Sequence, residues 1–248
     1  MSSVSLEFKD LKLRVDGELN VNSNTVSLHG SPTTTVRQHI IRALYDGTLL
    51  SKITKIVLVD TNGTERDSTT SLSYSVSGNE LTISCSISVT AGYTIARVRS
   101  YAGTYLYFET SVSPQVTVSA GDVVTVTLKI TVSISGTLTY GTATYSLTMV
   151  DFGNLAVSVL AGTRSASDLN ISAVAFVCTQ ATYNVGTTKT ISSDGLMLYF
   201  TASTTVIAQE TLTAVQIWTS ERELWRYAGL SIPLPAGSTV SYAEAVSA

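Results

Sequence analysis

The chain has 248 residues and a formal net charge of −3, from 15 Lys and Arg against 18 Asp and Glu. Charged residues make up 13%, about half the usual share, which excludes the clustered basic surface of a nucleic-acid-binding protein. Thr, Ser and Val together occupy 98 positions, and these residues favour strands and turns, so a mainly helical architecture is excluded. No apolar run approaches the roughly 18 residues of a membrane span, so membrane insertion is not expected.

Residues 1–29 form a strand-forming extension in which apolar and polar side chains alternate. The apolar parity shifts once, as across a bulge or bend. The extension predicts either a strand that completes the first domain of its own chain or one that pairs with the sheet edge of a neighbouring subunit. The apolar positions of this candidate assembly strand are Val4, Leu6, Phe8, Leu11, Leu13 and Val15.

The N-terminus has no feature of a secretory signal. It has no basic start, no continuous apolar stretch and no small-residue cleavage site. This predicts a protein that is made and kept in the cytosol.

A first short helix is predicted after the extension. Ser31 and Pro32 form a favourable N-cap and first-position pair, and Gly47 can end the helix. Between Pro32 and Gly47, apolar residues follow helical spacing from Val36 to Leu44. Asn62-Gly63 then signals a β-hairpin.

Long alternating strands and a second short helix follow. Residues 71–89 read as a hairpin turning at Gly78, and alternate apolar residues from Val124 to Ile134 predict a long strand. The second helix is predicted from an Asp151 cap to a Gly162 stop.

The second half repeats the order of the first: a helix, an apolar strand, hydroxyl-rich hairpins, an aromatic strand and an Ala-Gly turn. This order predicts an internal duplication. The fold class is therefore all-β, with two tandem antiparallel β-sandwich domains, jelly-roll or Ig-like, each with one short helix: residues 30–135 and 145–248. Equivalent positions are Gly47 with Gly162, Ile95 with Leu212, Val98 with Val215, Phe108 with Trp225, and Gly121 with Gly237.

Two cysteines cannot form a disulfide framework. Cys85 and Cys178 each lie in an apolar strand pattern, which favours buried free thiols over a bond between the two halves.

Ionisable residues give no clear catalytic or metal-binding pattern. His29 and His39 favour surface or capping roles over a metal site or an acid–base pair. The loop 60–67 crowds four oxygen donors but lacks EF-hand spacing, so a polar hairpin tip is preferred to a calcium site. No catalytic residue, metal ligand or cofactor is predicted. The acidic pairs considered for glycoside hydrolysis are Asp16 with Glu18 and Glu221 with Glu223.

Aromatic residues cluster near the C-terminus as Trp218, Trp225 and Tyr227. Such rings can stack on sugars, so they are candidate glycan contacts. Tyr101, Tyr105, Tyr107 and Phe108 occupy the corresponding stretch of the first half. This equivalence favours core positions for both groups.

A weakly charged, hydroxyl-rich double sandwich is typical of adhesins, pilins, S-layer modules and virion appendages. The first three normally leave the cell through a signal sequence, and so the missing signal favours a virus particle assembled in the host cytoplasm.

Four segments carry a resemblance: Val36–Gly47, Ile53–Asp60, Tyr105–Phe108 and Val116–Ile130. Together they resemble a module of minor structural and tail-fibre proteins of tailed phages and of structural proteins of archaeal viruses. The resemblance covers most of 30–135 and, more faintly, 150–248. It implies a noncatalytic virion component that oligomerises and contacts the host.

The second half departs from this pattern because only eight residues follow Val240. Either that domain is truncated or its missing strand comes from elsewhere, with the N-terminal extension as the candidate donor.

The expected function is a structural protein of the virion, a repeated component of a turret, spike, fibre or tail that assembles through strand edges and contributes to host attachment. The expected partners are copies of itself, other virion proteins and a host receptor or glycan. The alternative is a carbohydrate-binding or adhesin module of a cellular surface structure. An assembly protein should multimerise without a ligand, whereas a lectin should bind sugar as a discrete small species.

Overall fold

The computed structural model describes residues 2–3 and 7–248. This part of the chain has two α-helices, α1 (Thr34–Asp46) and α2 (Phe152–Ala161), and a 3₁₀ turn at Ala166–Leu169. The strands of the first half are β1 (Ser2–Ser3), β2 (Glu7–Val21), β3 (Asn24–Pro32), β4 (Lys55–Asp60), β5 (Glu65–Thr69), β6 (Ser73–Ser77), β7 (Glu80–Ser88), β8 (Tyr93–Ala102), β9 (Tyr105–Val118) and β10 (Val123–Ser135). Those of the second half are β11 (Thr137–Tyr140), β12 (Ala143–Met149), β13 (Ala173–Cys178), β14 (Thr182–Gly186), β15 (Thr188–Ile191), β16 (Met197–Thr205), β17 (Glu210–Trp218), β18 (Glu223–Leu234) and β19 (Thr239–Ser247).

The predicted all-β fold with large antiparallel sheets is confirmed. The strands form one 13-stranded and one 6-stranded sheet. Alternation decides which face is buried: in β10 the apolar positions from Val124 to Val132 are at most 1% exposed, while Lys129 between them is exposed. Each such side chain contributes roughly 1.5–3 kcal/mol of burial. The predicted hairpins at Asn62-Gly63 and at Gly78 are confirmed as the β4–β5 and β6–β7 turns.

The two halves share one order of strand pairing. We call β2 to β10 with α1 the first repeat, and β11 to β19 with α2 the second repeat. One sheet runs β5-β4-β8-β9-β3 in the first repeat and β14-β13-β17-β18-β12 in the second. The other runs β6-β7-β10 and β15-β16-β19. Both β3 and β12 thus have the same place in the repeat, although the sequence placed residues 1–29 outside it. The domain boundaries remain a prediction.

Irregularities of pairing recur at equivalent positions, which supports the duplication. The β4–β8 register shifts between Val59 and Asp60, and the β13–β17 register shifts between Val177 and Cys178. A strand register rarely slips by chance at the same place twice, because a slip moves side chains to the other face. The β8–β9 register shifts between Ile95 and Arg97 and again between Ser100 and Tyr101. The β17–β18 register shifts at the equivalent places, between Leu212 and Ala214 and between Ile217 and Trp218.

Strand β2 connects the two repeats into one sheet. From residue 10 to residue 21 it pairs with β10, and from residue 15 it also pairs with β3. Its first residues, 7–10, run parallel to β19, and β1 also pairs with β19. The second half thus has a terminal strand of its own, β19, and the N-terminal extension pairs with that strand within one chain.

A buried polar cluster lies where β2 meets β19. Glu244 is fully buried and accepts hydrogen bonds from Trp225 Nε1 at 3.1 Å and from the Tyr227 hydroxyl at 3.3 Å. Lys9 is 1% exposed, donates to the Thr137 carbonyl and places Nζ 5.1 Å from the Tyr227 ring centroid. Tyr227 thus contacts both side chains, Lys9 through its ring and Glu244 through its hydroxyl. Polar contacts of this kind offset the cost of burying ionisable groups.

Each helix packs across the junction between the repeats. Helix α1 contacts β9 of its own repeat and β15 and β16 of the second, whereas α2 contacts β18 of its own repeat and β6 and β7 of the first. Backbone hydrogen bonds are exchanged in the same way: Ile53 N donates to Leu160 O at 2.9 Å, and Ile171 N to Leu44 O at 3.0 Å. Reciprocal contacts between equivalent residues define an isologous interface, as in a two-fold dimer.

Side chains on the two helices repeat this exchange. Gln38 of α1 donates to the Asp194 carbonyl at 2.7 Å, and Asn154 of α2 donates to the Gly78 carbonyl at 3.0 Å. Each acceptor lies in a hairpin turn of the other repeat.

Neither α1 nor α2, the helices of the described ranges, is long and apolar enough to cross a bilayer.

The helix starts differ from the prediction. Thr33, not Ser31, caps α1, and Pro32 is the last residue of β3, where it pairs with Phe108. Sequence alone could not distinguish a strand end from a helix start at Ser31-Pro32, because the pairing partner is far along the chain. Asp151 does precede α2, but its carboxylate bonds to Arg222 at 2.7 Å instead of capping the helix. Gly47 ends α1, and Gly162 ends α2, both in the left-handed conformation, as predicted.

Both cysteines are free and buried, as predicted. Burial raises the pKa of the Cys85 thiol to about 11, and burial also raises the pKa of Cys178.

We therefore expect both thiols to react with a disulfide reagent at pH 8 only as fast as the fold opens, because the thiolate is the reactive form. Unfolding in urea should release both at once. Stoichiometric labelling of the native protein within seconds would contradict this expectation.

The second prediction concerns the polar cluster. Replacing Glu244 by Ala leaves the buried Trp225 and Tyr227 donors without their acceptor and removes a buried negative charge near Lys9, so the free energy of unfolding should fall by about 3 kcal/mol or more. Urea denaturation measures it. The exposed Glu18→Ala variant is the control and should change stability by less than about 0.5 kcal/mol. Equal stability of the two variants would show that the cluster does not hold β2 to β19.

Candidate functional site

Unpaired strand edges are the most extended candidate site on the molecule. In residues 2–3 and 7–248, five strands of three or more residues pair on one side only: β5, β6, β11, β14 and β15. Such an edge presents a row of free backbone N–H and C=O groups to another strand. In β6 and β14, exposed and half-buried side chains alternate.

Three of these edges lack the usual protection. Natural edge strands are commonly guarded by charged residues or proline. Strand β5 contains Glu65, Arg66 and Asp67, but β6, β11 and β14 contain neither a charged residue nor a proline. These three strands are therefore open to strand addition.

The two repeats differ where the chain crosses from the edge strand of one sheet to the edge strand of the other. This crossing runs from β5 to β6 in the first repeat and from β14 to β15 in the second. In the first repeat, Asp67 is 7% exposed and accepts hydrogen bonds from Thr90 Oγ1 at 2.7 Å and from the Tyr93 hydroxyl at 3.0 Å. These bonds fasten β5 to the neighbouring loop. In the second repeat, a groove of about 420 Å³ lies where the chain crosses from β14 to β15. Along it, residues 202–205 of β16 pair with β19 only. The lining includes Val185, Thr188, Thr201, Ser203, Ser241 and Tyr242.

The candidate assembly strand is incorporated into its own chain. Leu11 and Val15 are buried and Leu13 is half-buried, all within the first repeat. Of the other predicted positions, Val4 and Leu6 lie outside the described residues, as does the side chain of Phe8. From Asp10 onward the strand pairs with β10, and from Val15 also with β3, both within its own chain. Pairing with a neighbouring subunit stays a prediction.

His39 belongs to a buried hydrogen-bond network that the sequence did not reveal. Its Nδ1 lies 2.8 Å from the Tyr107 hydroxyl, which accepts from Ser51 N at 3.2 Å. Burial lowers the pKa of His39 and raises that of Tyr107. The tyrosine hydroxyl, not the imidazole, contacts Ser51, so the described contacts lack the direct serine–histidine bond of a nucleophile pair. The network holds α1 to the loop that follows it.

The predicted glycan aromatics separate into two groups. Trp225 and Tyr227 are fully buried, so neither ring can stack on a sugar, and the core interpretation holds for them. Tyr107 and Phe108 are buried in the first repeat in the same way. Trp218 alone of the three C-terminal rings is half-buried and reaches the surface.

The acidic candidates do not converge on one cleft. Asp16 bonds to Arg14 and lies 3.1 Å from Nδ1 of the exposed His29, whose hydrogen bond holds the pKa of Asp16 below its ordinary value. Glu223 lies 3.1 Å from Arg226 on β18. Glu18, the predicted partner of Asp16, lies on β2, and Glu221, the predicted partner of Glu223, lies in the β17–β18 turn.

The carboxylate oxygens of Asp60 accept hydrogen bonds from donors within the loop 60–67 itself. Asp60 accepts from Asn62 N and Thr64 N at 2.9 Å and from Arg66 Nε at 2.7 Å, which is the bonding of a polar hairpin tip. Within the described ranges, no cluster of three or more His, Cys, Asp or Glu is arranged to hold a metal.

No protein-family model matches the sequence, and comparisons with curated proteins and with solved structures gave no significant match. The candidate sites therefore depend on the geometry of this chain.

The third prediction concerns the pH dependence of stability. The folded pKa of His39 lies below its unfolded value of about 6.5, so the unfolded chain takes up this proton first as the pH falls. Stability from this group is complete above about pH 6.5 and is lost as the pH falls toward the folded pKa, by at most about 1.4 kcal/mol per pH unit.

Urea denaturation between pH 7 and pH 5 measures this loss. The His39→Gln variant should show a shallower decline than the native chain. Identical slopes for the native chain and His39→Gln would assign the decline to other groups.

Proposed function

We propose that the chain is a noncatalytic structural protein of a virus particle, a repeated component of a turret, spike, fibre or tail. The observation that carries this proposal is the set of exposed, uncharged strand edges, β6 and β14 above all. Copies assemble by pairing these edges, and exposed loops contribute to host contact.

Edge pairing supplies both affinity and geometry. Main-chain hydrogen bonds between strands give the affinity, and alternating side chains set the register. The two edges belong to different repeats, so β6 of one copy and β14 of the next make a heterologous contact. Such contacts close into a ring or continue as a filament.

Surface charge also suits dense packing. The formal net charge is only −3 over 248 residues, so repulsion between neighbouring copies is weak. The exposed positions of β6 are all serine, and those of β14 are Thr182, Asn184 and Gly186. These short groups let backbones approach closely.

The virion assignment is tested on particles. Purified virus particles from a culture that expresses the chain should contain it in many copies, detected by mass spectrometry and by antibody labelling in electron micrographs. Recovery of the chain only in the soluble cell fraction, with particles free of it, would overturn this assignment.

The fourth prediction tests assembly through edges. Native protein should form a defined oligomer, ring or filament in light scattering and negative-stain images. Ser75→Lys in β6 and Thr182→Lys in β14 place a charge on each open edge and should weaken association at least tenfold, or by about 1.4 kcal/mol.

A matched control separates edge pairing from general surface charge. Thr127→Lys puts the same side chain on β10, whose two edges are already paired, opposite Glu18. It should assemble like the native protein. A native monomer of 26.3 kDa at the highest concentrations, or equal assembly of all variants, would overturn assembly through these edges.

A further inference from the structure

The outer faces of the two repeats differ at one pair of equivalent positions, Tyr101 and Trp218. Tyr101 ends the β8–β4 pairing opposite Lys55, and Trp218 ends the β17–β13 pairing opposite Ala173. The backbone around both rings is the same: Thr54 N donates to Tyr101 O, and Ser172 N donates to Trp218 O. The side chains around them can therefore be compared directly.

In the first repeat the ring is covered by the chain itself. Lys55 Nζ lies 4.8 Å from the Tyr101 ring centroid, and the Tyr101 hydroxyl donates to Glu65. Arg99 lies 3.3 Å from the same Glu65 carboxylate. Lys55 thus covers one face of the Tyr101 ring, and Glu65 occupies its hydroxyl.

In the second repeat the corresponding cover is missing. Ala173 stands where the first repeat has Lys55, and Thr182 of β14 stands where β5 has Glu65, by the pairing of β13 and β4 with their edge strands. A hollow of about 310 Å³ opens beside the Trp218 ring. Its lining residues are Ser172, Ala173, Asn184, Trp218, Thr219 and Ser220.

The Trp218 ring is held in place by a chain of polar contacts. Its Nε1 donates to Gln216 Oε1 at 3.2 Å, and Gln216 Nε2 donates to Glu223 at 3.4 Å. The Glu223 carboxylate in turn lies 3.1 Å from Arg226. An aromatic platform fixed before binding loses little entropy when a ligand stacks on it.

We propose that this hollow, the Trp218 hollow, is a binding site for a neutral carbohydrate. The apolar C–H face of a sugar ring packs on the indole, while the Asn184 amide and the Ser172 and Ser220 hydroxyls bond to sugar hydroxyls. No residue that lines the hollow is charged, and the nearby Arg226 is paired with Glu223. The chemistry therefore favours a neutral saccharide over an anionic one.

The site does not depend on assembly for its chemistry. A single shallow platform of this size binds weakly, and repeated copies raise the avidity by linking many such sites. Only this gain in avidity rests on the proposed assembly function.

The fifth prediction uses the two tryptophans of the chain as an internal pair of probes. Trp225 is fully buried and Trp218 reaches the surface, so iodide should quench Trp218 alone. Saccharides selected from a glycan array should protect Trp218 from iodide at millimolar concentration, with neutral sugars selected over sialylated and sulfated ones.

Variants identify the site. Trp218→Ala should abolish protection and array binding, and Asn184→Ala should weaken binding about tenfold, the effect of one lost hydrogen bond of about 1.4 kcal/mol. Tyr101→Ala, at the equivalent position of the first repeat, is the matched control and should bind sugar like the native protein. Thermal melting checks that each variant is folded.

The outcomes distinguish this proposal from assembly. Ser75→Lys should lose assembly and keep saccharide protection of Trp218. An array with no bound glycan, selection of anionic glycans only, or unchanged binding by a folded Trp218→Ala variant would overturn the carbohydrate site and leave assembly untouched.

Discussion

The reciprocal packing of α1 and α2 across the junction of the repeats is the constraint on which the rest of the structure depends. Each helix is buried partly against strands of the other repeat, so neither repeat completes its core alone. The exchanged bonds of Ile53 with Leu160 and of Ile171 with Leu44 fix the register of this junction. The two repeats thus contact each other as the subunits of a two-fold dimer do, within one polypeptide.

Strand β2 breaks this internal symmetry. It lies in the first repeat for most of its length, yet its first residues pair with β19 of the second. The buried pair of charges, Lys9 and Glu244, stands at that crossing and contacts Tyr227 from two sides. Buried charges are costly unless their partners are in place, so this cluster favours one alignment of the N-terminal strand over slipped ones.

The two repeats share one order of strand pairing but differ on their outer faces. The first repeat covers its exposed ring with Lys55 and Glu65 and fastens its edge strand with Asp67. The second repeat carries Ala173 and the uncharged β14 at these places. The open groove and the Trp218 hollow consequently both lie on the second repeat, whose core is no less buried than that of the first.

Local sequence determined the all-β class, the hairpins, the glycine stops of both helices and the burial of both cysteines, because alternation and turn chemistry act over a few residues. The equivalence of Val98 with Val215 was also visible, since both halves carry the same apolar pattern at this strand. Only the tertiary structure decided that β2 serves both repeats, that Thr33 instead of Ser31 caps α1, and that Trp225 is buried while Trp218 is not. Each of these depends on a partner more than 50 residues away: β19 for the start of β2, Phe108 for Pro32, and Phe152 for Trp225. A local sequence pattern carries no record of which distant strand or ring lies alongside.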